Sequence, residues 1–179
     1  MSNRYNYTMC REEFLARLDS LNLDKRRYCV LSGGVMLLYG LKETTADIDI
    51  KVRPNYFEEL KTKFTFSKSP KYPDLYELGD DVEVAVRDYD DKDVRVVLDH
   101  PVESLELTLQ WMLEHNRPKD QEKIKIIQNY LKEQKCSKQS ILWSRRVMTR
   151  LAATRFVIAV AAIRFALLLH ARIDQMRRL

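Results

Sequence analysis

The stretch from Tyr28 to Val52 constrains this chain more than any other. It opens on a short apolar run, Tyr28 to Leu31, which reads as a buried strand. Ser32-Gly33-Gly34 follows without a break. Val35 to Tyr39 is apolar all round and reads as a short buried helix, ended by Gly40 near its C-cap. A polar connection, Lys42 to Ala46, leads into Asp47-Ile-Asp-Ile-Lys-Val52, which alternates strictly. A strand of that pattern has two unlike faces: Ile48, Ile50 and Val52 on one, Asp47, Asp49 and Lys51 on the other.

That alternation sets two carboxylates side by side. Asp47 and Asp49 repel each other unless a cation lies between them. Mg²⁺ takes oxygen ligands, and two such ions can steady the attacking and leaving oxygens of a phosphoryl displacement. A site of this kind wants a third carboxylate. Glu83 is the first candidate, because it lies on the polar face of Val82-Glu-Val-Ala-Val-Arg87, with Asp88 and Glu77 as alternatives. The plainer reading of all three is a solvated strand face. Gly33-Gly34 likewise has two readings. It is a tight strand-to-helix turn, or a place where missing Cβ atoms let backbone N–H groups reach a phosphate.

The remaining elements follow from pattern. Met9 to Leu21 predicts a helix, with Glu12 and Glu13 in its first turn. Tyr56 to Phe64 predicts a second amphipathic helix, and the segment after it, with Pro70 and Pro73, a loop. Leu75 to Leu78 and Val82 to Arg87 predict a hairpin across Gly79-Asp80-Asp81, and Val94 to Leu98 another strand. Pro101 to His115 and Pro118 to Gln134 predict two helices entered through proline. Asp120 then complements a helix N-terminus, and Lys119 beside it has either that structural setting or a place at the site. The expected class is α+β (α/β-like), a small mixed sheet flanked by helices, with further helices at the C-terminus.

With these residues in place, a resemblance can be stated. Val30-Leu-Ser-Gly-Gly-Val-Met-Leu-Leu-Tyr-Gly followed by Thr45-Ala-Asp-Ile-Asp-Ile resembles the signature of the polymerase-β-like nucleotidyltransferase superfamily. The closer likeness is to the small bacterial branch that includes the AbiEii-type toxins, and Arg117-Pro-Lys-Asp120 looks like a downstream segment common there. The resemblance covers residues 26 to 134. It implies that Asp47, Asp49 and Glu83 bind Mg²⁺, as a two-metal site, and that Glu83 helps deprotonate the acceptor hydroxyl. It places the nucleotide against Ser32, Gly33, Gly34, Thr45, Lys42 and Lys119. The reaction it implies moves a nucleoside monophosphate from an NTP to an acceptor, releasing pyrophosphate. That acceptor is a small molecule such as an antibiotic, a tRNA end or a protein, and a cognate antitoxin is a possible partner. Where the family often carries arginine before Thr-x-Asp this chain has Glu43, so Lys42 is the candidate basic partner. A degenerate, non-catalytic binding protein on the same fold is the alternative.

Charge separates the chain into two parts. Residues 137–179 hold nine Lys/Arg against the single acid Asp174, whereas residues 1–136 hold 22 basic and 25 acidic residues. The net charge of +5 therefore belongs to the tail, and does not make the body a nucleic-acid binder. The expected division is a nucleotidyltransferase-like domain over 1–136 and a basic amphipathic helical tail over 137–179. The tail can dock, contact RNA or a partner, or lie on an anionic membrane. Its apolar run, Phe156 to Leu169, is shorter than the ~20 residues a transmembrane helix needs. Three widely spaced cysteines and no apolar leader suit a cytoplasmic protein with reduced thiols.

Overall fold

The structure, a computed structural model, describes residues 8–70 and 72–137. By its internal contacts the chain divides into two units, Met1–Leu131 and Lys132–Leu179. Of the second, the described residues 132–137 are helical. The predicted basic tail otherwise lies outside the described residues.

The first helix, α1 (Arg11–Ser20), starts where Glu13 reaches back to accept from the Cys10 backbone N–H at 2.9 Å. Phe14 and Leu18 form its buried stripe. Met9 lies outside the helix and exchanges backbone hydrogen bonds with Thr45. Strand β1 (Tyr28–Val30) leads into α2 (Ser32–Leu38), and β2 (Ile48–Val52) follows. Next come α3 (Pro54–Leu60), with proline in its first turn, a two-residue strand β3 (Ser67–Lys68), and the hairpin β4 (Leu75–Leu78) and β5 (Val82–Val86). A second hairpin, β6 (Val94–Val97) and β7 (His100–Glu103), precedes α4 (Leu105–His115). A 3₁₀ turn, Pro118–Asp120, opens the helical residues 121–137.

The seven strands form one mixed sheet in the order β3-β4-β5-β2-β1-β7-β6. β2 and β5 are parallel, as are β1 and β7, and the other neighbours are antiparallel. The α+β class with a mixed sheet is thus the one observed.

Two apolar clusters hold these layers. In the larger, Val30, Ile48, Ile50, Val52, Val82 and Val84 pack with Phe14, Leu18, Tyr56, Phe57 and Leu60. In the smaller, Val35 and Met36 pack with Leu105, Met112, Ile124 and Ile127. α2 contributes to both, Leu37 and Leu38 facing the first cluster. A helix apolar on every side is buried on every side.

Two predicted elements are corrected. Pro101 does not start a helix: it sits inside β7, opposite Val96 of β6, and α4 begins only after Ser104. Ser104 is a true N-cap, its hydroxyl accepting from the Leu107 N–H at 3.3 Å. Proline fits the opening of a helix and the edge of a ladder equally well, so its presence alone did not decide between them. β3 falls inside the predicted loop, where two exposed residues give no periodicity to read.

Candidate active site

β2 and β5 run side by side with Asp49 in register with Glu83. Adjacent strands are about 4.8 Å apart, so the two side chains leave the same face of the sheet as neighbours. Glu77 on β4 continues the row opposite Glu83. Asp47 lies just before β2, half-buried. The Asp49 carboxyl is pushed up to about 7. Burial is the largest cause, followed by the charges of Asp47 and Glu83, while a hydrogen bond from Ser32 and the charge of Lys119 act the other way. Mutual repulsion among carboxylates in one site has this effect.

Ser32 reaches Asp49 because the β1–β2 pairing runs one residue past β1: the Leu31 N–H donates to the Asp49 carbonyl at 2.8 Å. Ser32 itself has φ +51°, the left-handed region, which is strained for a residue with a side chain. The strained residue is the one that donates to the Asp49 carboxylate.

The two glycines of the pair do different work. A Cβ at Gly33 would lie 2.6 Å from Thr45 Oγ1 and 3.5 Å from Lys42 Nζ, so Gly33 lets the turn lie close against Thr45 and Lys42. A Cβ at Gly34 would lie 2.7 Å from both Phe14 Cζ and Val30 Cγ1, so Gly34 faces the core and permits helix–sheet contact. Thr45 is buried and fixed by its backbone bridge to Met9.

Cations gather at the Asp47 end of β2. The half-buried Lys42 has its pKa lowered by burial and then by Lys123, against the pull of Asp47 and Asp49. Lys119 acts on Asp49 from the 3₁₀ turn. The wholly buried Asp120 accepts from Arg117 Nε and from Lys123 Nζ at 3.1 Å. Burial raises the Asp120 pKa, but those two bonds outweigh it and hold the group below the usual carboxylate range. Asp120 therefore anchors the segment that carries Lys119 and Lys123. Lys123 was missing from the sequence reading; its position four residues after Lys119, on one side of a helix, was the available signal.

Further along the same face, Lys51 pairs with Glu103 of β7 at 2.9 Å, both side chains about nine-tenths buried (11% and 12% exposed). Cys29, opposite Lys51, has its thiol pushed up to about 12, first by burial and then by Glu103, so it is held as an inert thiol. Cys10, Cys29 and Cys136 are all free. Asp88, the alternative third carboxylate, is exposed just past the end of β5.

The donor chemistry of Asp47, Asp49 and Glu83 fits Mg²⁺ in kind: the donors are oxygens, and a divalent cation relieves the crowding that raises Asp49. Among the described residues no group of three or more His, Cys, Asp or Glu side chains is arranged so that it could hold a metal ion. Nor is any described helix long and apolar enough to cross a membrane.

No protein-family model and no curated protein matches the chain. Among solved structures, one from Thermotoga maritima described as a "putative nucleotidyltransferase" is similar. It is 23% identical, with a TM-score of 0.46, and the match covers 72% of this chain and 99% of that one. Overlap at that level carries no conclusion about this chain's chemistry.

Proposed function

We propose that this chain is a nucleotidyltransferase that moves a nucleoside monophosphate from an NTP to an acceptor hydroxyl. The observation that supports this reading is the Asp49–Glu83 register pair, crowded by Asp47 and flanked by Lys42 and Lys119. Negative charge on one strand face beside lysines suits a triphosphate and its cation. Asp47, Asp49 and Glu83 would hold Mg²⁺, which when bound supplies neutralisation of the phosphates and activation of the acceptor oxygen. Ser32 orients Asp49. Lys42, Lys119 and Lys123 would receive the polyphosphate beside the Ser32-Gly33 turn. Glu83 takes the acceptor proton as the new O–P bond forms, the α–β P–O bond breaks, and pyrophosphate leaves with the electron pair.

A second reading, nucleotide binding without transfer, is favoured by the absence, among the described residues, of a three-ligand set that could hold a metal ion. The kinship to AbiEii-type toxins, with an antitoxin as partner and a cytoplasmic site of action, belongs to the first reading.

Incubation of the full chain with Mg²⁺ and each labelled NTP, with and without cell RNA or small alcohols, separates the two. Transfer that disappears in Asp47→Ala and Asp49→Ala supports the enzyme. NTP binding with no transfer under any condition leaves only the second reading.

A further inference from the structure

We propose that the aromatic groove between α3 and the β3–β4 edge of the sheet binds single-stranded RNA. The groove, about 300 Å³, is lined by Phe57, Lys61, Phe64, Thr65, Phe66 and Tyr76. Tyr76 stands opposite Val84, and Glu77 opposite Glu83, so β4 turns Tyr76 to the core face and Glu77 to the carboxylate row. The groove and the Asp49–Glu83 pair therefore lie on opposite faces of the sheet. Binding there does not depend on nucleotidyl transfer.

The rings of the groove are held open. Phe57 is buried and forms the floor. Phe66 and Tyr76 pack against it, their ring centroids 4.9 and 4.4 Å from that of Phe57, and Phe64 meets Phe66 edge-on at 6.2 Å. A cluster that served packing alone would close on itself. Here Phe64, Phe66 and Tyr76 are only half-buried and leave a gap among them. Aromatic faces left open in this way are stacking surfaces for bases. Thr65 and Tyr76 add hydroxyls to the lining, partners for a ribose 2′-hydroxyl, which DNA lacks.

Charge selects a polyanion for those rings. Residues 61–73 hold four lysines, Lys61, Lys63, Lys68 and Lys71, and no acid, within a body that is mildly acidic as a whole. Lys68 stands opposite Tyr76 across the β3–β4 ladder, so its side chain leaves the sheet on the groove's face. Lys63 is exposed just before Phe64. Neither lysine is in an ion pair among the described residues. The acids that flank this stretch are already engaged: Glu58 with Lys61 at 2.6 Å, Glu59 with Arg27 at 2.6 Å, and Asp74 with Arg87 at 2.8 Å. Lys63 and Lys68 are thus left to meet phosphates, and the rings between them to meet bases. Tyr72, 58% exposed, extends the same mixture of basic and aromatic residues along the connection to β4. An acidic peptide would match the charge but not bring a planar ring with each unit. Duplex RNA keeps its bases stacked on one another, out of reach of the groove.

The test uses the full chain and a labelled oligouridylate of about 12 nucleotides, read by fluorescence anisotropy. The basic tail is present in every arm, so only differences between variants count. Lys63→Gln combined with Lys68→Gln should weaken binding about tenfold at unchanged Tm. It should also flatten the slope of log K against log salt by about 1.4, the contribution of two phosphate contacts on a single strand. Phe66→Leu keeps an apolar group against Phe57 and removes the ring; it should weaken binding about fivefold or more and leave the salt slope as in the wild type. Thr65→Glu, at an exposed position, sets a carboxylate among the rings and should weaken binding without lowering Tm, which keeps the test decisive if Phe66→Leu unfolds. Duplex RNA of the same length should be indifferent to these changes, and the matching oligodeoxyuridylate should bind roughly threefold more weakly. No binding of the oligouridylate, or binding that is the same in the wild type and the variants, overturns the proposal. Equal losses for single-stranded and duplex RNA leave only a patch of charge and overturn it too. DNA bound as tightly as RNA overturns the choice of RNA, and displacement of the oligouridylate by polyglutamate at equal charge assigns the groove to an acidic peptide instead.

Discussion

Asp49 and Glu83 stand opposite each other on adjacent parallel strands, and the charge of Glu83, with that of Asp47, adds to burial in raising the Asp49 pKa. Such an arrangement costs folding free energy, and the cost depends on pH. The folded pKa of Asp49, about 7, lies above its ordinary value of 3.8. Ionising it therefore destabilises the fold: the cost is absent below about pH 4, grows between 4 and 7, and is complete above 7. Asp49→Asn is expected to match the wild type at pH 4 and to exceed it at pH 8 by on the order of 1–3 kcal/mol. Urea denaturation at the two pH values measures this. Millimolar Mg²⁺ should raise the wild-type Tm more at pH 8 than at pH 5 and do little for Asp49→Asn; no such difference would remove the carboxylates from the metal site.

Gly34→Ala should damage the fold and spare the carboxylate row. Its Cβ would meet Phe14 and Val30 at 2.7 Å, neither the tip of a flexible chain. Overpacking of this kind costs about 1–3 kcal/mol. Val30→Ala in the same chain should recover part of the loss, because it removes one of the two clashing groups. Thermal unfolding of the single and double variants decides it.

Glu103→Ala should be among the most damaging single changes outside the apolar core. It leaves Lys51 charged and nearly buried, and it takes the acceptor from Thr108. Breaking one side of a buried pair costs about 3–5 kcal/mol. Replacing both partners, Lys51→Met with Glu103→Leu, should cost less than Glu103→Ala alone. A double-mutant cycle in urea reads the difference.

Asp120→Asn tests the anchor under the lysines. The folded pKa of Asp120 is depressed, so its carboxylate contributes stability that is present above pH 3.8 and lost as pH falls through the folded value. At pH 7 the variant should lose about 1–3 kcal/mol, and the gap should narrow toward pH 3. Weaker NTP binding at pH 7 should accompany it, since Lys119 and Lys123 depend on this segment.

Much of the site's floor was legible in the chain itself. Strict alternation in Asp47 to Val52 and in Val82 to Arg87 fixes which residues share a face; β2 keeps it in its burial, whereas in β5 Ala85 is buried as well and Val86 is half-buried. The all-apolar Val35 to Tyr39 announced a helix buried on both sides, as it is. Pro101 misled because proline has two local meanings, and choosing between them took the neighbouring strand β6.

What the sequence by itself determined is local: strand faces, the helix stripes, and the separation of a mildly acidic body from a basic tail. Those follow from backbone periodicity and from counting charges. Only the tertiary structure decided that β5 lies next to β2 in parallel, which brings Glu83 to Asp49 from 34 positions away. Only it separated Gly33 from Gly34, one against Thr45 and Lys42 and one against the core, because that depends on what α2 packs against. The pairing of Lys51 with Glu103 gave no motif at all. Their setting arises from strand order and burial, which no spacing along a chain encodes.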